Sequence, residues 1–300
     1  MLEFSPETNF MNQNDLLKKV RKLEIKSRGL SSELFSGQYH SAFKGRGMSF
    51  SEVREYQPGD DIRTIDWNVT ARFNHPYVKV FEEERELTIM LVVDMSGSKD
   101  FGTTNMFKME MVTEVCAVLA FSSLQNNDKV GVIFFSDKIE KYIPPKKGKS
   151  HVLRIIRELI DFRPENKRTN IDQAIRFLTN VTKKRCTAFI LSDFLATSFN
   201  DSLRIAARKH DLVALQVIDP REATLPDVGL VKFLHAETGD TQWVDTSDRA
   251  VRKSYEVTFR KQEDIIKNTF ARAGVDLAVL NTNKSWIQPL SNLLKRRGAK

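Results

Sequence analysis

Short, almost wholly apolar runs alternate along this chain with longer segments whose apolar residues recur every three or four positions. The runs have the length of strands that are buried on both faces of a parallel sheet, and the longer segments have the periodicity of amphipathic helices. The predicted strands cover residues 87–94, 130–135, 138–143, 187–193, 212–219 and 275–280. The predicted helices cover residues 106–124, 152–160, 171–182, 202–210 and 249–273, with a short one from Pro289.

Strands that alternate with helices of crossover length predict an α/β fold. We expect a three-layer, Rossmann-like sandwich whose central sheet is mainly parallel and covered by helices on both faces. The series begins at residue 87, so the expected α/β domain spans residues 87–300. An amphipathic helix over residues 14–26 predicts an N-terminal helical segment within residues 1–44.

Two other segments have β-type patterns. Glycines and two proline-containing turns separate short alternating stretches between residues 45 and 80. These stretches predict a small β-rich element over residues 45–86. Residues 231–246 have the pattern of a hairpin with its turn at residues 238–240, and this hairpin is a candidate to join the β-rich element.

The composition is that of a globular protein in a reducing compartment. Hydrophobic residues make up 41% of the 300 residues, which is enough for a sizeable core without disulfide support. Cys116 and Cys186 are far apart and have no CxxC spacing, which argues against a disulfide framework and a cysteine zinc site. No stretch resembles a signal peptide or reaches the roughly 20 apolar residues of a membrane-spanning helix. We therefore expect a soluble, cytoplasmic protein without membrane insertion.

The net charge of +8 is concentrated at the two ends of the chain. The first 50 residues carry 8 basic and 5 acidic groups, and the last 60 carry 12 basic and 6 acidic groups. The middle of the chain is close to neutral, which argues against a nucleic-acid-binding protein, an alternative that rests on charge alone. Basic clusters such as Lys295-Arg296-Arg297 are expected to be solvated surface, where an acidic partner could make a second contact.

Polar residues follow two of the predicted strands, at the sheet edge where open α/β folds bind their ligands. Asp94, Ser96 and Ser98 come directly after the strand 87–94, and Asp193 closes the strand 187–193. Thr169 lies in the loop that opens the helix beginning at residue 171. Two carboxylates and three hydroxyls form an all-oxygen set suited to a hard divalent cation. We expect Mg²⁺ first, with Mn²⁺ and Ca²⁺ as alternatives.

At these residues the chain resembles the von Willebrand factor type A domain and its metal-ion-dependent adhesion site. That site uses the motif Asp-x-Ser-x-Ser, then a distant Thr and a distant Asp, in the same chain order. The resemblance implies that Ser96 and Ser98, with Thr169 or Asp193, coordinate the ion directly or through water. It also implies that Asp94 holds the site together.

A second resemblance covers more of the chain. Residues 45–98 are similar to the bacterial family labelled "domain of unknown function 58", in which this Arg/Asp/Trp-rich signature precedes a type A domain. The resemblance implies a MoxR-type AAA+ ATPase as partner. The chain departs from that family at Lys99, where a methionine is usual, and this lysine could repel the metal or draw in an acidic ligand.

These features predict a non-enzymatic, divalent-metal-dependent protein-interaction module. Its ion would accept an Asp or Glu carboxylate from a partner protein, and the family resemblance implies an adaptor for the ATPase in assembly, maturation or stress tolerance of protein complexes. The alternative is a metal-assisted phosphohydrolase on a Rossmann-like sheet. Such enzymes often carry a second Asp as acid–base two residues after the first, where this chain has Ser96.

The signature contains charged residues that could also be taken for a second active site. No nucleophile with a neighbouring base accompanies them, so we expect a salt-bridged and hydrogen-bonded network that ties the β-rich element to the sheet. A role in docking a partner is a further alternative. Its members are Arg54, Asp60, Asp61, Arg63, Asp66, Trp67, Asn68 and Arg72. The acidic run over residues 82–86 is expected to be solvated.

Overall fold

The computed structural model describes residues 13–35, 48–83, 86–96, 107–165, 168–195, 199–234 and 241–298. The chain forms two compact units, a small one over Phe43–Leu87 and a larger one from Met1–Ala42 and Thr88–Lys300. The strands are β1 (Met48–Glu55), β2 (Tyr77–Glu83), β3 (Thr88–Asp94), β4 (Lys129–Phe135), β5 (Ile139–Lys146), β6 (Thr187–Ser192), β7 (Asp211–Ile218), β8 (Leu230–Leu234), β9 (Thr241–Asp245) and β10 (Asp276–Asn281). The α-helices are α1 (Gln13–Phe35), α2 (Trp67–Phe73), α3 (Lys108–Gln125), α4 (Lys149–Asp161), α5 (Ile171–Val181), α6 (Asn200–Lys209), α7 (Arg249–Ala273) and α8 (Ile287–Gly298).

The larger unit is built on a six-stranded sheet with the order β10-β7-β6-β3-β4-β5. All neighbouring strands are parallel except β5, which runs antiparallel to β4 at one edge. Helices flank this sheet, and the predicted mainly parallel, Rossmann-like α/β sandwich is therefore confirmed. The strand order reverses at β3, because the chain continues to β4 on one side and later returns to β6 on the other. The carboxyl ends of β3 and β6 thus meet where such sheets bind ligands.

Both faces of β3 are buried, because its side chains alternate between two layers of helices. Met90 and Val92 pack in a core cluster with residues of α5, α6 and α7. Ile89, Leu91 and Val93 are equally buried and alternate onto the other face. This double burial explains why the strand is apolar at nearly every position.

The N-terminal helix α1 continues nine residues beyond the predicted end at residue 26 and packs against α3 and α4. Lys26 Nζ lies 2.6 Å from Glu114 Oε1 of α3. Further along, Ser31 Oγ donates a hydrogen bond of 2.7 Å to Gln125 Oε1. These contacts make α1 part of the larger unit.

The small unit contains the antiparallel pair β1–β2, with a register shift between Phe50 and Glu52. A 3₁₀ turn (Ile62–Thr64) and the helix α2 lie between the two strands, and neither was predicted. Asp66 caps α2 by accepting hydrogen bonds from the backbone N–H groups of its first turn. Such capping aspartates are worth about 1 kcal/mol each.

The charged residues of the signature include several that act locally within the small unit. Arg54 donates two hydrogen bonds to Asp60, at 2.7 and 2.8 Å, and the guanidinium holds the pKa of this carboxyl below its usual range. Asp61 caps the 3₁₀ turn by accepting from Arg63 N. Lys79 Nζ lies 3.4 Å from Asp66 Oδ2. These contacts all lie within the small unit, and the predicted tie to the sheet stays a prediction.

The strands β8 and β9 pair antiparallel in a two-stranded sheet of their own within the larger unit. The turn predicted at residues 238–240 lies outside the described residues. Leu230 and Trp243 are both exposed on this pair. After it comes α7, which Asp248 caps and which ends at Gly274 in the left-handed region.

The basic cluster near the carboxyl end is not wholly solvated surface as predicted. The Arg297 side chain is only 11% exposed. Its guanidinium hydrogen-bonds Asp211, at the start of β7, and lies 2.9 Å from Asp276 Oδ2, at the start of β10. Arg297 therefore ties α8 to the amino ends of two strands, and a charge reversal there would test the fold rather than a docking surface.

We expect the larger unit to lose stability in mild acid through His210, which is buried beside Cys186. Burial, together with the charges of Lys209 and Arg185, lowers the His210 pKa to about 4. The unfolded histidine has a pKa of about 6.5, so the unfolded state binds more protons between these values. The free energy of unfolding should therefore fall by about 2–3 kcal/mol between pH 6.5 and pH 4 through this residue alone.

Urea unfolding at pH 7.5, 5.5 and 4.5 checks this expectation. His210→Asn keeps a hydrogen-bond acceptor but does not titrate, so its stability should fall less steeply with acid than that of the wild type. His75→Asn, at an exposed position, is the control and should keep the wild-type slope. Equal slopes for the wild type and His210→Asn would contradict the assignment.

Candidate metal centre

Asp94, the last residue of β3, is buried and braces the turn that follows it. Its Oδ1 accepts a hydrogen bond of 2.9 Å from Ser96 N, and its Oδ2 accepts one of 2.6 Å from Ser192 Oγ at the end of β6. Met95 N donates to the Phe135 carbonyl at 2.7 Å, which ties the same turn to β4. Asp94 thus links the carboxyl ends of two neighbouring strands.

Asp193 directly follows β6 and is also buried. Its Oδ1 accepts a hydrogen bond of 3.2 Å from Leu195 N. Its main-chain carbonyl accepts one of 3.1 Å from Gln216 Nε2 of β7. Since β3 and β6 are adjacent and parallel, Asp94 and Asp193 lie at the same edge of the sheet.

Thr169 reaches the same edge through the loop before α5. The next residue, Asn170, donates its backbone N–H to the Ser136 carbonyl at 2.7 Å, and Ser136 directly follows β4. The Asn170 side chain caps α5 by accepting from Gln173 N. Thr169 itself is partly exposed.

Four of the five predicted site residues therefore belong to the described part of the chain and lie at the carboxyl edge of β3, β4 and β6. The fifth, Ser98, lies outside the described residues, as does Lys99.

A buried lysine that the sequence analysis missed lies beside Asp193. Lys108 is the first residue of α3, and its side chain is 3% exposed. Its Nζ hydrogen-bonds Glu222 Oε1 and lies 3.6 Å from Asp193 Oδ2. The signal in the sequence is a lysine as the first residue of a largely apolar helix whose two other charged residues, Glu110 and Glu114, are acidic. That is a costly place for a lysine unless carboxylates surround it.

Asp219 and Glu222 complete the acidic character of this edge. Asp219 directly follows β7 as Asp193 follows β6, and its Oδ2 accepts a hydrogen bond of 2.8 Å from Thr282 Oγ1. Glu222 Oε2 accepts from Asp219 N at 3.1 Å. Burial raises the pKa of Glu222, although its contact with Lys108 opposes that rise. Asp219 could have been found from sequence, because it closes its strand as the two predicted carboxylates do.

The donor chemistry of this edge fits a hard divalent cation. Asp94, Asp193, Asp219 and Glu222 outnumber the one buried ammonium, that of Lys108, so the described edge carries an excess of acidic groups. In the described ranges, no three His, Cys, Asp or Glu side chains form a metal-binding group by themselves. A cation here would therefore depend on hydroxyl oxygens as well as carboxylates, as the predicted set does.

A small cavity opens beside Asp193, between the sheet edge and α7. It is lined by Asp193, Leu195, Gln216, Glu222, Phe259 and Gln262, among others. Gln262 Nε2 of α7 lies 3.4 Å from the Leu195 carbonyl and is positioned to donate to it. The amide oxygen of Gln216 is buried without a hydrogen-bond partner in the described structure. This leaves an acceptor within the cavity lining.

The fold and this edge define a Rossmann-like α/β protein with a candidate cation site at the reversal of strand order. The chain belongs to the family described as "Protein of unknown function DUF58", whose model matches residues 52–265. This membership confirms the family predicted from the signature. Among the helices of the described ranges, none is both long enough and apolar enough to cross a lipid bilayer.

The relatives are bacterial and uncharacterised. The chain is 31% identical over 285 residues to "Uncharacterized protein Rv1480" of Mycobacterium tuberculosis, which covers 93% of this chain and 90% of the relative. It is 29% identical over 131 residues to "Uncharacterized protein YeaD" of Bacillus subtilis, over 44% of this chain and 29% of that one. Among solved structures, the conserved hypothetical protein BatB from Bacteroides thetaiotaomicron matches 71% of this chain and 100% of its own, with a TM-score of 0.48 and 15% identity.

Proposed function

We propose that this protein is a non-enzymatic, metal-dependent protein-interaction module. One observation carries the proposal: Asp94 and Asp193 end neighbouring parallel strands where the strand order reverses, and the Asp94 carboxylate is held by Ser96 N and Ser192 Oγ. A carboxylate held in this way can position neighbouring hydroxyl groups without taking part in a reaction itself. The order of Asp94, Ser96, Ser98, Thr169 and Asp193 along the chain resembles the motif of the adhesion site in von Willebrand factor type A domains, which supports the proposal.

In this proposal, Ser96, Ser98 and Thr169 supply neutral oxygens and Asp193 supplies a charged one. Asp94 positions the turn and acts on the ion through its neighbours. Mg²⁺ is the first candidate for the ion. Because the hydroxyl ligands are neutral, the bound ion keeps much of its positive charge. A carboxylate from an Asp or Glu of another protein would then complete the coordination.

The partner that we propose is a MoxR-type AAA+ ATPase, or a client delivered to it. This part of the proposal rests on the similarity of residues 45–98 to the family signature. The protein would then serve as an adaptor in the assembly, maturation or stress tolerance of protein complexes.

Titration calorimetry with Mg²⁺ and Mn²⁺ tests the metal claim. We expect the wild type to bind with measurable heat and Asp94→Asn to bind at least about tenfold more weakly, which is the usual effect of removing a group that orients metal ligands. Thr169→Val, which removes only a hydroxyl, should also weaken binding. Asp201→Asn, at an exposed position on α6, is the matched control and should bind as the wild type does. Equal heats for all four proteins would refute the site.

Co-purification with the cognate ATPase tests the partner claim. We expect EDTA to release the ATPase and excess Mg²⁺ to restore the complex. Retention of the complex in EDTA would move the interface away from the metal site. Steady, metal-dependent hydrolysis of an aryl phosphate that is lost in Asp94→Asn would favour the phosphohydrolase alternative instead.

A further inference from the structure

Lys108 is placed where a lysine is least expected. It begins α3, where the helix dipole is positive, and its side chain is buried. Both circumstances raise the free energy of an ammonium group unless nearby carboxylates compensate it. The position therefore depends on the acidic residues of the carboxyl edge.

Two carboxylates provide this compensation, and they differ in their other bonds. Glu222 hydrogen-bonds Lys108 through Oε1 and accepts from Asp219 N through Oε2, so it is committed to the turn at residues 220–222. Asp193 is the looser partner, because its Oδ2 lies 3.6 Å from Lys108 Nζ while its Oδ1 accepts from Leu195 N. The oxygen that faces Lys108 belongs to one of the proposed metal ligands.

We propose that Lys108 is a resident counter-cation of the metal site, which competes with a divalent ion for Asp193 and thereby sets the metal affinity of the protein. The inference rests on the proposed function, because it assumes that Asp193 is a ligand. An ammonium group within a few ångströms of a divalent ion repels it, and both attract the same carboxylate. Lys108 thus keeps the affinity lower than the oxygen set alone would give.

The competition also links the metal site to the cavity beside α7. Lys108 connects Asp193 to Glu222, and both carboxylates line that cavity together with Gln216. When a divalent ion binds the Asp193 carboxylate in place of Lys108, the Lys108 ammonium keeps only its ion pair with Glu222. Metal binding would therefore change the charge balance of the cavity wall.

Calorimetric titration with Mg²⁺ tests the inference in two backgrounds. Lys108→Met should bind Mg²⁺ about tenfold more tightly than the wild type, and Lys108→Arg, which keeps the charge, should stay close to it. Because removing Lys108 leaves buried carboxylates without their cation, Lys108→Met could fail to fold. The comparison is therefore repeated in a second background, with the double variant Lys108→Met/Glu222→Gln measured against Glu222→Gln. Here the ammonium and the charge of its partner are removed together. The double variant should show the same gain in Mg²⁺ affinity over Glu222→Gln. Thermal unfolding gives a second readout, since added Mg²⁺ should raise the Tm of the two proteins that carry Lys108→Met more than that of their parents.

The outcomes separate this inference from the proposed function. If the wild type binds Mg²⁺ and Lys108→Met binds it equally well or more weakly, the inference is overturned and the proposed function stands. Absence of binding by every protein would overturn both. Binding only by the variants that lack Lys108 would support the counter-cation and show that the wild-type site is closed to metal under those conditions.

Discussion

Replacing Gly131 with alanine is expected to lower the free energy of unfolding by about 3 kcal/mol or more, at the upper end for overpacking of a core. Gly131 lies in β4, where the pairing with the edge strand β5 shifts register. An alanine Cβ would lie 2.8 Å from the Ile143 carbonyl oxygen and the Pro145 nitrogen, and 2.9 Å from Met90 Sδ. Two of these atoms are backbone, so a rotamer change cannot relieve the contact.

The matched control is Gly29→Ala in α1. A Cβ at Gly29 would meet nothing within 4 Å, and alanine is the better helix former by about 0.5–1 kcal/mol. We expect this variant to be slightly more stable than the wild type. Urea denaturation of the three proteins gives the comparison. A Gly131→Ala protein as stable as the wild type would mean that β5 can move away from β4.

The α/β core could be predicted from the sequence because its strands are buried on both faces. Such strands are apolar at nearly every position, and the first polar residue after one of them is easily recognised. Asp94 and Asp193 were found in this way, and Asp219 has the same signature at the end of β7. The ends of these apolar runs thus located the carboxyl edge of the sheet together with its acidic residues.

The rest of the site depends on contacts between distant parts of the chain. Lys108 and Glu222 are 114 positions apart, and Ser192 and Asp94 are 98 apart. No local pattern carries such a pairing, because each residue taken alone suits an ordinary helix start, turn or strand end. Arg297 was assigned to the solvated surface for the same reason, since its acidic partners lie far away in sequence.

The helix α2 was missed for a different reason. Seven residues make two turns, which is too short for an apolar periodicity to appear. Its ends are set by single residues: Asp66 caps its first turn, and Asn74 ends it with a φ of 55°. Capping residues of this kind are common in turns, so the segment was interpreted as part of the β-rich element.

Asp94→Ala is expected to lower the free energy of unfolding by about 3–5 kcal/mol, even in EDTA. The change removes a buried acceptor from Ser96 N and from Ser192 Oγ, and each buried donor left without a partner costs about 1–3 kcal/mol. Asp94→Asn retains an amide oxygen that can accept one of these bonds, so it should cost about half as much. Ser192→Ala removes the donor to Asp94 Oδ2 and also the acceptor of Phe194 N, and it should cost about 1–3 kcal/mol.

Denaturation in EDTA and in Mg²⁺ separates the two roles that Asp94 has in our proposal. EDTA removes any bound ion, so the loss of stability measured there reports the contacts that Asp94 makes within the protein. If Asp94→Ala were as stable as the wild type in EDTA, these bonds would not brace the turn. In Mg²⁺ the wild type should gain further stability by mass action, and the Asp94 variants should gain less. The hydrogen bonds of the turn and the proposed metal site share the Asp94 carboxylate. The contribution of Asp94 to metal binding is therefore measured by the difference between the losses of stability in Mg²⁺ and in EDTA, rather than by either loss alone.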